Sequence, residues 1–172
     1  MGPTSSGIVL VVDDDPDILE GIVTILGTQA YRLATARDGK KCMEMVHVVN
    51  AAGVCLFAFL SYDWKFIPDF LGAVTGWPID TDECYRIGER IAQIRHGFNL
   101  REGLNPLAFE VPGRVLGNPP FKQGNVREVS VDLATQARDL CEAMGWDPVS
   151  ARPSRERLVK LGLPEVAAAV GR

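Results

Sequence analysis

Two sets of side chains in this 172-residue sequence could do chemistry by their type and spacing. The first is the carboxylate run Asp13-Asp14-Asp15, which stops the apolar segment IVLVV abruptly. Adjacent carboxylates such as Asp13 and Asp14 offer the hard oxygen ligands that a magnesium ion prefers. At a strand end just before a helix they also serve as solvated groups that complement the helix dipole. The second is Cys55, within NAAGVCLF at residues 50–57. A thiolate there could be a ligand, although its apolar neighbours by themselves favour a small buried hydrophobe. Cys42, Cys84 and Cys141 are scattered without CxxC spacing, so neither a disulfide framework nor a self-contained zinc site is signalled. His47 and His96 lie on helical segments with no cysteine or carboxylate at ligand spacing, and both read as packed or surface residues.

The bulk numbers narrow the partners. Hydrophobic residues at 47% and charged residues at 23% are ordinary globular values. The formal charge of -4 provides no basic field for nucleic acid or an anionic membrane surface. The apolar run before Asp13 is too short for a secretory or membrane-spanning segment, and free cysteines fit a reducing compartment, so the expected location is cytoplasmic.

The elements that must position these residues follow from periodicity. IVLVV at residues 8–12 reads as a strand buried on both faces. Pro16 suits a first helical turn, and Ile18, Leu19, Ile22, Val23, Ile25 and Leu26 continue at helical spacing. A second strand spans residues 31–36, closed by Asp38-Gly39, which makes the opening β-α-β. Beyond residue 40 the pattern becomes helical. One helix covers 40–52 with Gly53 as its terminator, LFAFL is a second piece, and residues 66–74 form a third before Thr75-Gly76-Trp77-Pro78. Asp80 with Glu83 opens a further helix in the manner of a capping box, with Ile87, Ile91 and Ile94 expected on its apolar face. Residues 103–130 carry eight Pro and Gly residues that favour extended loop, long enough to suggest a function or a partner surface. Residues 131–144 form an amphipathic helix ending at Gly145, Ser154 caps a short helix ending at Gly162, and Pro164 opens the last. Trp64, Trp77 and Trp146 read as core aromatics, and Arg101-Glu102 as an ion pair at a helix end. The expected fold is mainly α with a small N-terminal β-α-β fragment, divided into residues 1–39 and 40–172.

Two family resemblances rest on these segments. VLVVDDDPDILEGIVTIL followed by YRLATARDG resembles the start of a response-regulator receiver domain, which implies a magnesium ion beside Asp13 and Asp14. The third strand with its acceptor aspartate does not follow: Asp63 is succeeded by Trp-Lys. Residues 40–172 resemble the C-terminal helical region of the aldehyde ferredoxin oxidoreductase family. The resemblance is carried by NAAGVCLF, AVTGWPIDTDECYRIGERI, FNLREGLNP and KQGNVREVSVDLATQARDLCEAMGWD in that order.

That second resemblance implies a tungsten- or molybdenum-bis-pterin cofactor and a 4Fe-4S cluster, oxidation of aldehydes to carboxylic acids, and ferredoxin as electron acceptor. Cys55 matches the family's Asp-x-x-Gly-Leu-Cys cluster ligand, Gly53 its glycine and Asn50 its aspartate, the last two beside the pterin. Asparagine lacks the charge that an aspartate offers to an aminopterin ring. The family's CxxCxxxC run, which holds the rest of the cluster, is missing from this sequence. The expectation is therefore a fragment or subunit, inactive by itself, that works with a separate pterin- and iron-sulfur-bearing chain. The alternatives are a truncated receiver or signalling module and a non-catalytic docking subunit.

Overall fold

The computed structural model describes residues 8–12, 16–27, 32–36, 39–59, 66–123 and 127–171. The order of elements is β1 (Ile8–Val12), α1 (Pro16–Gly27), β2 (Arg32–Ala36), α2 (Gly39–Ala51), α3 (Leu56–Phe59), α4 (Phe66–Thr75), α5 (Thr81–Arg101), a 3-10 turn (Pro106–Ala108), α6 (Leu133–Met144), α7 (Arg155–Lys160) and α8 (Pro164–Val170). The protein is mainly helical, as expected. Asp13, Asp14 and Trp64 lie outside the described residues.

β1 and β2 pair in parallel, from Ile8 opposite Arg32 to Val12 opposite Ala36. Parallel neighbours need a crossover connection, and α1, with Pro16 at its first position, supplies it. Two compact units divide the chain, Met1–Ala92 and Gln93–Arg172, and α5 contributes to each.

In the first unit Met45, Val48 and Val49 of α2 pack with Ile67 of α4 and Cys84 of α5, joined by Leu56, Leu71 and Ile79. The i, i+3, i+4 spacing on α2 explains why this face is inside. α2 and α5 approach until their backbones nearly touch: a Cβ added at Gly88 would stand 2.1 Å from the Glu44 carbonyl oxygen. Close approach of this kind requires glycine. Glu44 is buried beside the crossing, 2% exposed. Lys40, one turn earlier on α2, pairs with it and also reaches Glu89 Oε2 of α5 at 3.3 Å. A buried carboxylate without such a partner would be costly.

α5 begins as its sequence dictates, with Asp80 Oδ1 accepting from the Glu83 backbone N–H at 2.7 Å. Its inward stripe is Cys84, Gly88, Ala92, Gln93, His96 and Gly97, all buried. Ile94, expected on that face, is 45% exposed. Ile87 packs against the first core and Ile91 is partly buried, as expected, but the fully buried stripe follows the small and polar residues, which leaves Ile94 outside.

In the second unit Leu158, Leu163 and Ala167 form a small core with Leu161 and Val166. Gly97 admits α8 against α5: an added Cβ would meet Val166 Cγ1 at 2.8 Å and Val170 Cγ2 at 3.2 Å. α6 is capped by Asp132, whose Oδ1 accepts from the Thr135 N–H at 3.1 Å. It ends at Gly145 with φ 68°, where the Gly145 and Trp146 N–H groups return to the Glu142 and Cys141 carbonyls. This is the left-handed glycine terminus anticipated for that position. Ser154 and Pro164 open α7 and α8 as expected.

Gln93, wholly buried, donates through Nε2 to the Met144 carbonyl at 2.9 Å and accepts at Oε1 from Trp146 Nε1 at 2.8 Å. It thereby satisfies a terminal carbonyl of α6 that has no partner inside the helix. Trp146 is half-buried and hydrogen-bonded, whereas Trp77 is 63% exposed and is not a core residue. Trp77 stands beyond the end of α4 at Thr75, and the residue of that stretch that turns inward is Ile79. The described part of residues 103–130 contains one 3-10 turn, with Asn105 Oδ1 accepting from the Leu107 N–H at 2.9 Å.

Candidate functional site

Of the sequence-predicted site residues, Asn50 lies in the last turn of α2, and Gly53 and Cys55 lie on the short connection from α2 to α3. The last turn of α2 closes through hydrogen bonds from Ala52 N–H to the Val48 carbonyl at 2.9 Å and from Val54 N–H to the Val49 carbonyl at 3.2 Å. Gly53 takes φ 71°, the left-handed conformation that costs a residue with a Cβ and suits glycine. That turn swings the chain off the helix axis. Leu56 packs against the core cluster of Met45, Val48, Val49, Ile67 and Cys84, while Asn50, Gly53 and Cys55 stay exposed. A Cβ added at Gly53 would meet no atom within 4 Å. The connection thus presents a thiol, a side-chain amide and a bare backbone to open space.

Cys55 is the one exposed cysteine of the four. This corrects the reading from its neighbours alone, which favoured a buried hydrophobe; the left-handed turn at Gly53 is what faces it outward. Cys84 and Cys141 are buried and Cys42 is partly so, and burial pushes the thiol of each above its ordinary value, Asp80 adding to this at Cys84 and Asp147 at Cys141. A thiol held protonated is a poor ligand and a poor nucleophile. Among the described residues no group of three His, Cys, Asp or Glu side chains could hold a metal ion. One exposed soft donor is what a single corner of a cluster requires.

His96 is structural. It is buried, stacks on the Trp146 ring at 3.7 Å between centroids, and donates from Nε2 to the Ala151 carbonyl at 2.7 Å. Ala151 holds φ 58°, an uncommon backbone for alanine, fixed by its N–H to the Asp147 carbonyl at 2.8 Å. Burial lowers the proton affinity of His96, and the bond to the Ala151 carbonyl offsets this in part. Above about pH 6.5 the imidazole is neutral in both folded and unfolded chain, and its contribution to stability is complete. As pH falls below that value the unfolded chain takes up a proton that the folded one resists, so stability is lost. Thermal melts between pH 7.5 and pH 5.5 are expected to show this decline, and His96→Gln should flatten it. An equal slope in the variant would assign the loss to other groups.

Arg101 and Glu102 form the expected ion pair at the end of α5, at 2.9 Å. His47 is partly buried on α2. Sequence reasoning missed Gln93; its only signal is an amide at spacing four to the small residues of the inner stripe.

Comparison with known proteins places this geometry in a family. Residues 20–163 match the family described as aldehyde ferredoxin oxidoreductase, domains 2 & 3, and the chain belongs to it. Among its relatives is the tungsten-containing aldehyde ferredoxin oxidoreductase of Pyrococcus horikoshii, 33% identical over 123 residues, or 71% of this chain. The protein of the same name from Thermococcus kodakarensis is also 33% identical over 123 residues. The chain spans 20% of the length of either relative. A chain of the active-site complex BamBC of benzoyl coenzyme A reductase, solved with 1,5-dienoyl-CoA, shares the fold with a TM-score of 0.56 and 22% identity, over 73% of this chain and 18% of that one. No helix among the described residues is long and apolar enough to cross a membrane.

Proposed function

We propose that this chain furnishes one wall of the redox centre of a tungsten- or molybdenum-bis-pterin oxidoreductase, with Cys55 as a thiolate ligand to a 4Fe-4S cluster. The exposure of Cys55, alone among the four cysteines and beside the open left-handed turn at Gly53, carries this reading. Thiolates are the ligands that such clusters require. Asn50 offers a neutral amide, donor and acceptor at once, to a pterin edge, and Gly53 allows the cofactor close to the backbone. When bound, the metal-pterin and the cluster supply oxidation of an aldehyde to a carboxylic acid and electron relay to ferredoxin.

This chain's own share is to hold and orient. The capped end of α2 and the packed Leu56 fix the backbone on both sides of Cys55, so the thiolate is positioned before any cluster arrives. The other cluster thiolates come from a CxxCxxxC run outside these 172 residues, which a family chain that bears it can supply in a test. Co-expressed with such a chain under anaerobic conditions, it is expected to co-purify with it, and Cys55→Ser should cut the iron retained by the complex by at least half. Copurification without iron would leave a docking subunit and remove the ligand role.

A second reading rests on the parallel β1-α1-β2 unit: a receiver-like signalling module using Asp13 and Asp14 for magnesium. Labelling by acetyl phosphate would support it, and no labelling would dismiss it.

A further inference from the structure

The second unit carries a cleft of about 380 Å³ that nothing above uses. It is lined by Arg101 at the end of α5, by Gly103 and Asn105 in the turn that follows, by Ser150 and Arg152, and by the end of α8. Two arginines are among the residues that line this one concavity, and no carboxylate is. Arginines near helix ends often serve to cap terminal carbonyls. Here that task is already done. The Phe98, Asn99 and Leu100 carbonyls accept from the Glu102, Leu104 and Gly103 N–H groups at 2.8–3.1 Å, and the Ala167 carbonyl accepts from Gly171 N–H and from Arg155.

Arg101 is held in place on two sides, with its guanidinium 5.0 Å from the centre of the Phe98 ring and both Nε and Nη2 2.9 Å from Glu102 Oε1, which leaves the Nη1 donors for a ligand. Asn105 spends its carbonyl oxygen on the Leu107 N–H, which leaves its side-chain NH2 as a donor. Arg152, the Asn105 NH2 and the remaining donors of Arg101 therefore belong to one lining that contains no carboxylate. We infer that this cleft binds a compact oxyanion, the phosphate or carboxylate group of a small molecule, between Arg101 and Arg152. Guanidinium forks match the geometry of both groups. The inference is independent of the role given to Cys55.

Calorimetric titration of the full chain at low ionic strength with inorganic pyrophosphate and, separately, with succinate tests it. Saturable one-to-one binding of at least one probe is expected, and the tighter probe names phosphate or carboxylate as the group preferred. Arg101→Gln and Arg152→Gln should each weaken binding about tenfold, with the circular dichroism melt unchanged. Arg138→Gln, on α6 and outside the cleft, should leave it unaltered. Absence of saturable binding with both probes would overturn the inference. So would equal weakening by Arg138→Gln, which would mean unspecific charge attraction.

Discussion

Gly88→Ala is expected to lower the stability of this chain by about 2 kcal/mol net, a drop of roughly 4–8 °C in melting temperature for a chain of this size. The new methyl would stand 2.1 Å from the Glu44 carbonyl oxygen, 2.5 Å from its carbon and 2.8 Å from its Cα. All three are backbone atoms, so no side chain can swing aside and the helices must part. Parting loosens Met45, Val48 and Val49 against Cys84 and stretches the reach of Lys40 to Glu89. Alanine's better helix propensity returns about 1 kcal/mol, less than the roughly 3 kcal/mol that overpacking of this severity costs. Gly21→Ala on α1 is the control, because its Cβ meets nothing within 4 Å. There the same substitution should stabilise by about 0.5–1 kcal/mol. Two substitutions of one chemical kind then move the melt in opposite directions, and equal shifts would refute the close crossing.

Gln93→Leu is expected to cost about 3 kcal/mol. Leucine fills a similar volume, so the loss comes from polarity. The Met144 carbonyl and the Trp146 indole N–H both lose their partner inside the fold. Each buried group stranded in this way costs about 1–3 kcal/mol, and the gain from burying an apolar side chain offsets part of it. Urea unfolding followed by circular dichroism gives the magnitude. The indole proton of Trp146 should also exchange faster with solvent than in the parent chain. Unchanged exchange with a small stability loss would mean that the amide bridge carries little.

These two sites mark the limit of what the sequence discloses. Elements governed by local rules were readable: the β-branched run of β1, Pro16 at the head of α1, Asp80 and Glu83 at the head of α5, Gly145 in a left-handed terminus, Ser154 before α7. Each depends on residues within a few positions of one another. The crossing at Gly88 and the Gln93 bridge join positions about fifty apart in sequence, and neither partner advertises the other. Ile94 shows the same limit from the opposite side. Its apolar character fits a helix face, yet the inner face of α5 is set by small residues that let neighbours approach.

The site was legible in part. Asn50, Gly53 and Cys55 are close in sequence, so their grouping follows from the chain itself. The direction of Cys55 did not follow from its apolar neighbours, because one dihedral at Gly53 turns the thiol outward while Leu56 goes in. Arg152 carried no local signal, since it meets Arg101 only through the fold of the second unit.

The central claim is that sulfur from Cys55 completes an iron-sulfur cluster otherwise anchored on polypeptide outside these 172 residues. The most direct test is electron paramagnetic resonance of the dithionite-reduced complex formed with a family chain that carries the CxxCxxxC run, beside the same complex with Cys55→Ser. The parent complex is expected to give a reduced-cluster signal with about four irons per assembly, and the serine variant a shifted or lost signal, because oxygen replaces sulfur at one iron. An identical spectrum at equal iron content in the variant would show that Cys55 touches no cluster.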